Sequence, residues 1–165
     1  MKINKKLLLV LIIPVLSAVF LISVGKNLLP VKNFKIEPEY NKDKLDLDFA
    51  NVVAAEGEKN GSVWTVSVTV LHNDTGWDHY ADRWQIIDPE TKEILAERIL
   101  LHPHENEQPF KRSLGNIKFP ADQKAVIIRA SCTKHGFGGQ EIMVFLVQDD
   151  AAYKILDNQT TDEED

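Results

Sequence analysis

The sequence predicts an all-β fold, a seven-stranded sandwich of the immunoglobulin or fibronectin-III-like type, carried behind an N-terminal membrane anchor or signal peptide. From Leu45 onward, short stretches alternate apolar and polar residues, the period-2 mark of half-buried strands. Turn chemistry separates these stretches, and no 3.6-residue apolar period lies between them. Seven strands at such short, even spacing are the pattern of two packed sheets. Cys132 is the sole cysteine, so the paired cysteines of antibody domains are absent and the likeness is architectural.

The chain opens with a basic stretch containing Lys2, Lys5 and Lys6, followed by an uncharged run from Leu7 to Val24. About 20 apolar residues cross a bilayer, so residues 1–26 read as a signal anchor or a signal peptide. The run's length favours an uncleaved anchor. Lysines on its N-terminal side place everything after Lys26 outside the cytoplasm. The expected location is periplasmic or otherwise extracytoplasmic, with tethering to the inner membrane where the anchor is retained. With no cysteine directly following the apolar run, a lipoprotein-type anchor is not expected.

Residues 27–44, with Pro30 and Pro38, read as a linker, and residues 45–148 as the sandwich domain. Leu45, Leu47 and Phe49 alternate with Asp46 and Asp48 as a first strand that continues toward Val53. Gly57 to Gly61 supplies a turn. Trp64, Val66, Val68 and Val70 share one face of the second and clearest strand, and His72 follows in phase. Trp84 and Ile86 begin a third strand that stops at Asp88-Pro89-Glu90-Thr91. Ile94–Leu101 is the fourth, Phe110–Phe119 the fifth with a break near Gly115-Asn116, Ala125–Cys132 the sixth, and Glu141–Val147 the seventh. Residues 149–165 form an acidic tail, poor in apolar content and expected to be disordered beyond Leu156.

The formal charge of −6 averages a basic leader against that tail. No basic stripe lies between them, which argues against nucleic acid as a partner. Nucleophile elbows, HExxH and paired Ser/Lys signatures are absent, so an enzyme is the less expected reading.

All five histidines fall at or just beyond strand ends: His72, His79, His102, His104 and His135. If every connection reverses direction, all five share one pole of the sandwich. Imidazole is the commonest protein metal ligand and suits copper and zinc. His102 and His104, two apart in an extended segment, should project to one side. Asp74, Asp78 and Glu107 are close enough in sequence to ligate or to orient rings. Cys132 and Met143 are the possible sulfur ligands, and both are expected to pack in the core. Trp77 and Tyr80 could form a recognition patch, and Arg112 could pair with Glu107.

The segments HNDTGWDHYADRW, LHPHENEQPF and KHGFGG resemble those of small exported bacterial proteins of unknown function, over roughly residues 62–146. The sandwich architecture is similar to that of CopC-type periplasmic copper-binding proteins, and that resemblance implies copper handling. CopC-type proteins typically use a histidine at the mature N-terminus, whereas no histidine precedes His72 here. The expectation is an exported protein that binds copper(II) or zinc(II) for metal carriage or delivery. The alternative is a non-metal interaction module that docks on an envelope protein partner through Trp77, Tyr80 and Phe137.

Overall fold

The computed structural model describes residues 33–146 and 153–158. The apolar leader, the first part of the linker and most of the acidic tail lie outside the described residues. None of the described helices is long and apolar enough to cross a membrane.

Ten strands form two antiparallel sheets among the described residues. They are β1 (Asn33–Ile36), β2 (Asn51–Asn60), β3 (Val63–Leu71), β4 (Ala81–Ile87), β5 (Ile94–Ile99), β6 (Phe110–Ile117), β7 (Ala125–Cys132), β8 (Gly136–Phe137), β9 (Glu141–Phe145) and β10 (Tyr153–Leu156). One sheet has the order β1-β2-β3-β6; the other runs β10-β9-β7-β4-β5, with β8 on β7. The two-sheet architecture matches the expected sandwich, with ten strands rather than seven. β1 lies in the expected linker, and β10 lies in the expected tail.

The alternation in β3 does what it predicts: Trp64, Val66, Val68 and Val70 are buried. They join Val52 from β2, Trp84 and Ile86 from β4, Ile128 from β7 and Ile142 from β9 in one core cluster. At about 25 cal/mol per Å² of buried apolar surface, this shared core is the main source of stability.

Two expectations near β2 are corrected. Leu45–Phe49 is not a strand: it follows a short 3-10 turn (Lys42–Lys44) and itself runs through bends and a turn. The Asp46 carboxylate accepts the Asp48 N–H, and Asn51 Nδ2 donates to the carbonyls of Asp46 and Phe49. Such side-chain bonds offer the backbone an alternative to a sheet ladder. Gly57 lies inside β2, not in a turn. Its missing side chain is where Phe34 sits, because a Cβ there would fall 2.1 Å from the Phe34 ring. The hairpin turns at the far end of the expected segment, at Gly61, whose φ is 61°. The expected break in β6 appears as a register shift opposite Trp64 and Val66, with Asn116 at φ 59°.

Candidate metal centre

β3 ends at Leu71, so His72 emerges at the sheet's end with its backbone N–H donated to Gln108 Oε1 at 3.0 Å. Its ring is buried, and Nδ1 donates to Asp74 Oδ1 at 2.6 Å. A carboxylate can only accept, so that bond places the His72 proton on Nδ1 and leaves Nε2 with a lone pair. Asp74 is a hub: Oδ1 also accepts from Ala81 N–H at 3.0 Å, and Oδ2 accepts from His104 N–H at 2.6 Å. Burial pushes the Asp74 pKa up, but the bonds from His72, His104 and Ala81 outweigh it and hold the group below the ordinary carboxylate value. The hub therefore stays anionic.

His79 returns across the loop, its N–H donated to the Gly76 carbonyl. Its Nε2 lies 3.2 Å from His72 Nε2. Two nitrogens bound to one ion at about 2.0 Å stand about 3.3 Å apart at a tetrahedral angle, so this spacing could accommodate a shared ion as well as an N–H···N hydrogen bond from His79 to the His72 lone pair. Burial first, then the charges of His72, His135 and Lys134, push the His79 pKa down against the raising effect of the Asp48 carbonyl. The neutral ring that results is the form that ligates.

The third member is Cys132, at the end of β7 and buried. Its Sγ, His72 and His79 form a group whose ligand atoms all lie within 4.8 Å of one another. The expectation that Cys132 serves the core is only half right: it packs there, yet its sulfur faces the histidines. The Asp48 carbonyl faces the same point, 3.4 Å from His72 Nε2, 3.3 Å from His79 Nε2 and 3.4 Å from Cys132 Sγ. His135, half-buried, donates its backbone N–H to Cys132 Sγ at 3.3 Å and its Nδ1–H to the Asp48 carbonyl at 2.8 Å. His135 makes the short bond to the Asp48 carbonyl, and the two Nε2 atoms and the sulfur stand farther off, at 3.3–3.4 Å around the same oxygen.

Close packing holds this arrangement. A Cβ on Gly138 would lie 2.5 Å from the Phe49 ring, and one on Gly139 would lie 2.3 Å from the Ala50 carbonyl oxygen. The glycine-rich loop can therefore press against the segment that carries Asp48.

Contacts run unbroken from His135 through His79, His72 and Asp74 to His104 and His102, so all five histidines do gather at one pole. They do not all point at one ion. His104 is buried and stacks on Phe110 at 3.8 Å, its Nδ1 3.7 Å from Asp74 and without a hydrogen-bond partner among the described residues. Burial, then Arg112 and His102, push its pKa down. His102 is exposed, with Nδ1 against the Pro103 carbonyl. Arg112 pairs with Glu107 at 2.7 Å. Asp78 is exposed and gives only its carbonyl, to Thr133 Oγ1. Trp77 stands 68% exposed, edge-on to Tyr80 at 5.9 Å. Phe137 lies under the Arg129 guanidinium at 4.0 Å. Sequence reasoning missed Gln108, the Asp48 carbonyl and the weight of Cys132. The spacing Cys132-x-x-His135 at a strand end was the available signal for the last.

The chain is 38% identical over 107 residues to a protein of Halomicrobium mukohataei named "Putative lipoprotein". That match covers 64% of this chain and 52% of the relative, so the chain spans about half the relative's length. No protein-family model matches the chain, and no solved structure matches it.

Proposed function

We propose that this chain is an exported protein that holds one copper(II) or zinc(II) ion among His72, His79 and Cys132. The observation that carries the reading is the convergence of three buried ligand atoms within 4.8 Å of one another. Nitrogen and thiolate donors suit copper and zinc, and hard cations such as magnesium prefer oxygen. Asp74 supports the reading as an anionic acceptor that fixes the His72 tautomer, the partner that ligating histidines commonly have. The ligand set proposed here differs from the N-terminal histidine typical of CopC-type proteins, so the reading rests on this chain's own residues and not on that resemblance. The relative's name and the apolar run Leu7–Val24 support export. Cys132, the chain's only cysteine, is buried in the fold, so the membrane attachment proposed here runs through that apolar run. Carriage or delivery would require this buried site to open; burial favours a resident ion.

The test is calorimetric titration of the full chain with Cu(II) and Zn(II). The reading expects one equivalent bound with an affinity of about micromolar or tighter, near 8 kcal/mol. Joint replacement His72→Ala and His79→Ala should abolish that binding, and His102→Ala should leave it unchanged. Binding no tighter than about millimolar, ~4 kcal/mol, contradicts the proposal.

A second reading draws on Trp77 and Leu101, which are 68% and 75% exposed. Exposed aromatics are favoured at interfaces, so these side chains could meet an envelope protein partner beside the metal pole. Capture of such a partner would then fail on Trp77→Ala while metal binding persisted.

A further inference from the structure

We propose that the centre is a copper site built for one-electron transfer, with His72 Nε2, His79 Nε2 and Cys132 Sγ around the ion and the Asp48 carbonyl oxygen on its axis. The inference rests on the metal-binding reading above and names the chemistry of that same site. Its evidence is the position of the Asp48 oxygen. That atom is 3.4, 3.3 and 3.4 Å from the two ring nitrogens and the sulfur. A point equidistant from three atoms lies on the axis through their triangle. An ion held among the three ligand atoms, at about 2.0 Å from nitrogen and about 2.3 Å from sulfur, would have the Asp48 oxygen facing it from one side of the triangle as a more distant donor. That is a long, weak axial contact. Two imidazoles and one thiolate in a trigonal arrangement, with a distant axial oxygen, are the donor set of electron-transfer copper centres. A structural zinc site prefers four full-strength ligands in a tetrahedron.

His135 acts around this set and not within it. Its Nδ1–H already donates to the Asp48 carbonyl at 2.8 Å, which draws electron density from the axial oxygen. Its backbone N–H donates to Cys132 Sγ at 3.3 Å. Hydrogen bonding to the cysteine sulfur is one of the levers that set a copper potential. The ligands sit at the ends of β3 and β7 and at the entry to β4, with the Asp48 loop fastened by Asn51 and by the close approach of Gly138 and Gly139. A frame so fastened holds one geometry for both oxidation states, which keeps reorganisation small. The half-buried His135 ring, 4.8 Å from His79, lies on the side from which an electron can enter or leave. In the step itself, Cu(II) gains one electron from a small one-electron carrier and becomes Cu(I). Cys132 stays a thiolate throughout, and no bond to the protein forms or breaks.

The test adds one equivalent of Cu(II) sulfate to the full chain and records visible absorption and electron paramagnetic resonance. The expected result is an intense thiolate-to-copper charge-transfer band with narrow copper hyperfine splitting. Ascorbate should bleach the band and ferricyanide restore it, with copper retained through the cycle. Cys132→Ser should remove the band, and calorimetry on that variant shows whether copper still binds at the histidines. Copper bound in a manner sensitive to His72→Ala, but with no charge-transfer band, overturns this inference and leaves the metal-binding reading intact. So does spontaneous reduction of Cu(II) with formation of a Cys132 disulfide dimer. Failure to retain copper or zinc at all overturns both.

Discussion

Replacing Asp74 by Asn preserves the shape of the hub and removes its charge. The carboxylate now accepts three buried donors: His72 Nδ1–H, Ala81 N–H and His104 N–H. An amide keeps one oxygen. Placed at the Oδ1 position, it still serves His72 and Ala81 but turns its own N–H₂ toward the His104 N–H. One stranded buried donor costs about 1–3 kcal/mol, and each surviving bond loses about 1 kcal/mol of charge assistance. The sum is about 3–5 kcal/mol, a large share of the roughly 5–15 kcal/mol that holds a domain together. For a domain of this size that lowers Tm by about 10–20 °C. The His72 ring also loses the anion that fixes its tautomer and orientation, so metal affinity should fall about tenfold to a hundredfold. Thermal melts of both proteins, monitored by circular dichroism at neutral pH, measure the first effect, and calorimetric titration measures the second. The pH dependence follows in sign. The folded Asp74 pKa is depressed, so its contribution is complete above the unfolded value of about 3.9 and is lost as pH falls through the lower folded value. The gap between wild type and Asp74→Asn should therefore close in acid. A Tm within about 3 °C of wild type, less than ~1 kcal/mol on the same scale, would refute the hub.

Three further outcomes are expected. Gly139→Ala drives a Cβ to 2.3 Å from the Ala50 carbonyl oxygen; backbone cannot yield as a side-chain tip can, so thermal melts should show a loss of about 1–3 kcal/mol, and metal affinity should fall as the Asp48 loop is displaced. Asp88, at the opposite end of β4, accepts the Thr91 N–H, a bond from Gln123 Nε2 and the Glu90 N–H, which hold its pKa down at about 2. Its contribution is full above the unfolded value of about 3.9 and disappears as pH falls through about 2, so Asp88→Asn should melt below wild type at neutral pH and converge with it in strong acid. Trp77→Ala, at an exposed loop position, should change unfolding stability by no more than about 0.5 kcal/mol in thermal melts and leave metal titration unaltered.

Strong alternation made the fold legible. β3 and β7 occupy the stretches their patterns mark, because side chains that face a core on one side must repeat every second residue. The same rule misleads at Leu45–Phe49, where Asp46 and Asn51 capture the backbone before a ladder can form. It also misleads at Gly57, which reads as a turn until Phe34 of a distant strand is seen to need its space. The histidine pole was legible through strand parity. Which histidines share an ion was not, because His104 turns to stack on Phe110 while His102 turns outward. Cys132 keeps phase with Ala130 and Ile128, which marks it for the core, while its spacing from His135 points to the site. A carbonyl such as that of Asp48 has no side-chain signature, and only the folded chain reveals it.

The most direct test of the account is a crystal of the full chain grown with one equivalent of copper and measured at the copper absorption edge. The account predicts one anomalous peak, about 2.0 Å from His72 Nε2 and His79 Nε2 and about 2.3 Å from Cys132 Sγ. A peak confined to His102 and His104, or none at the pole in protein that has bound copper, would contradict it.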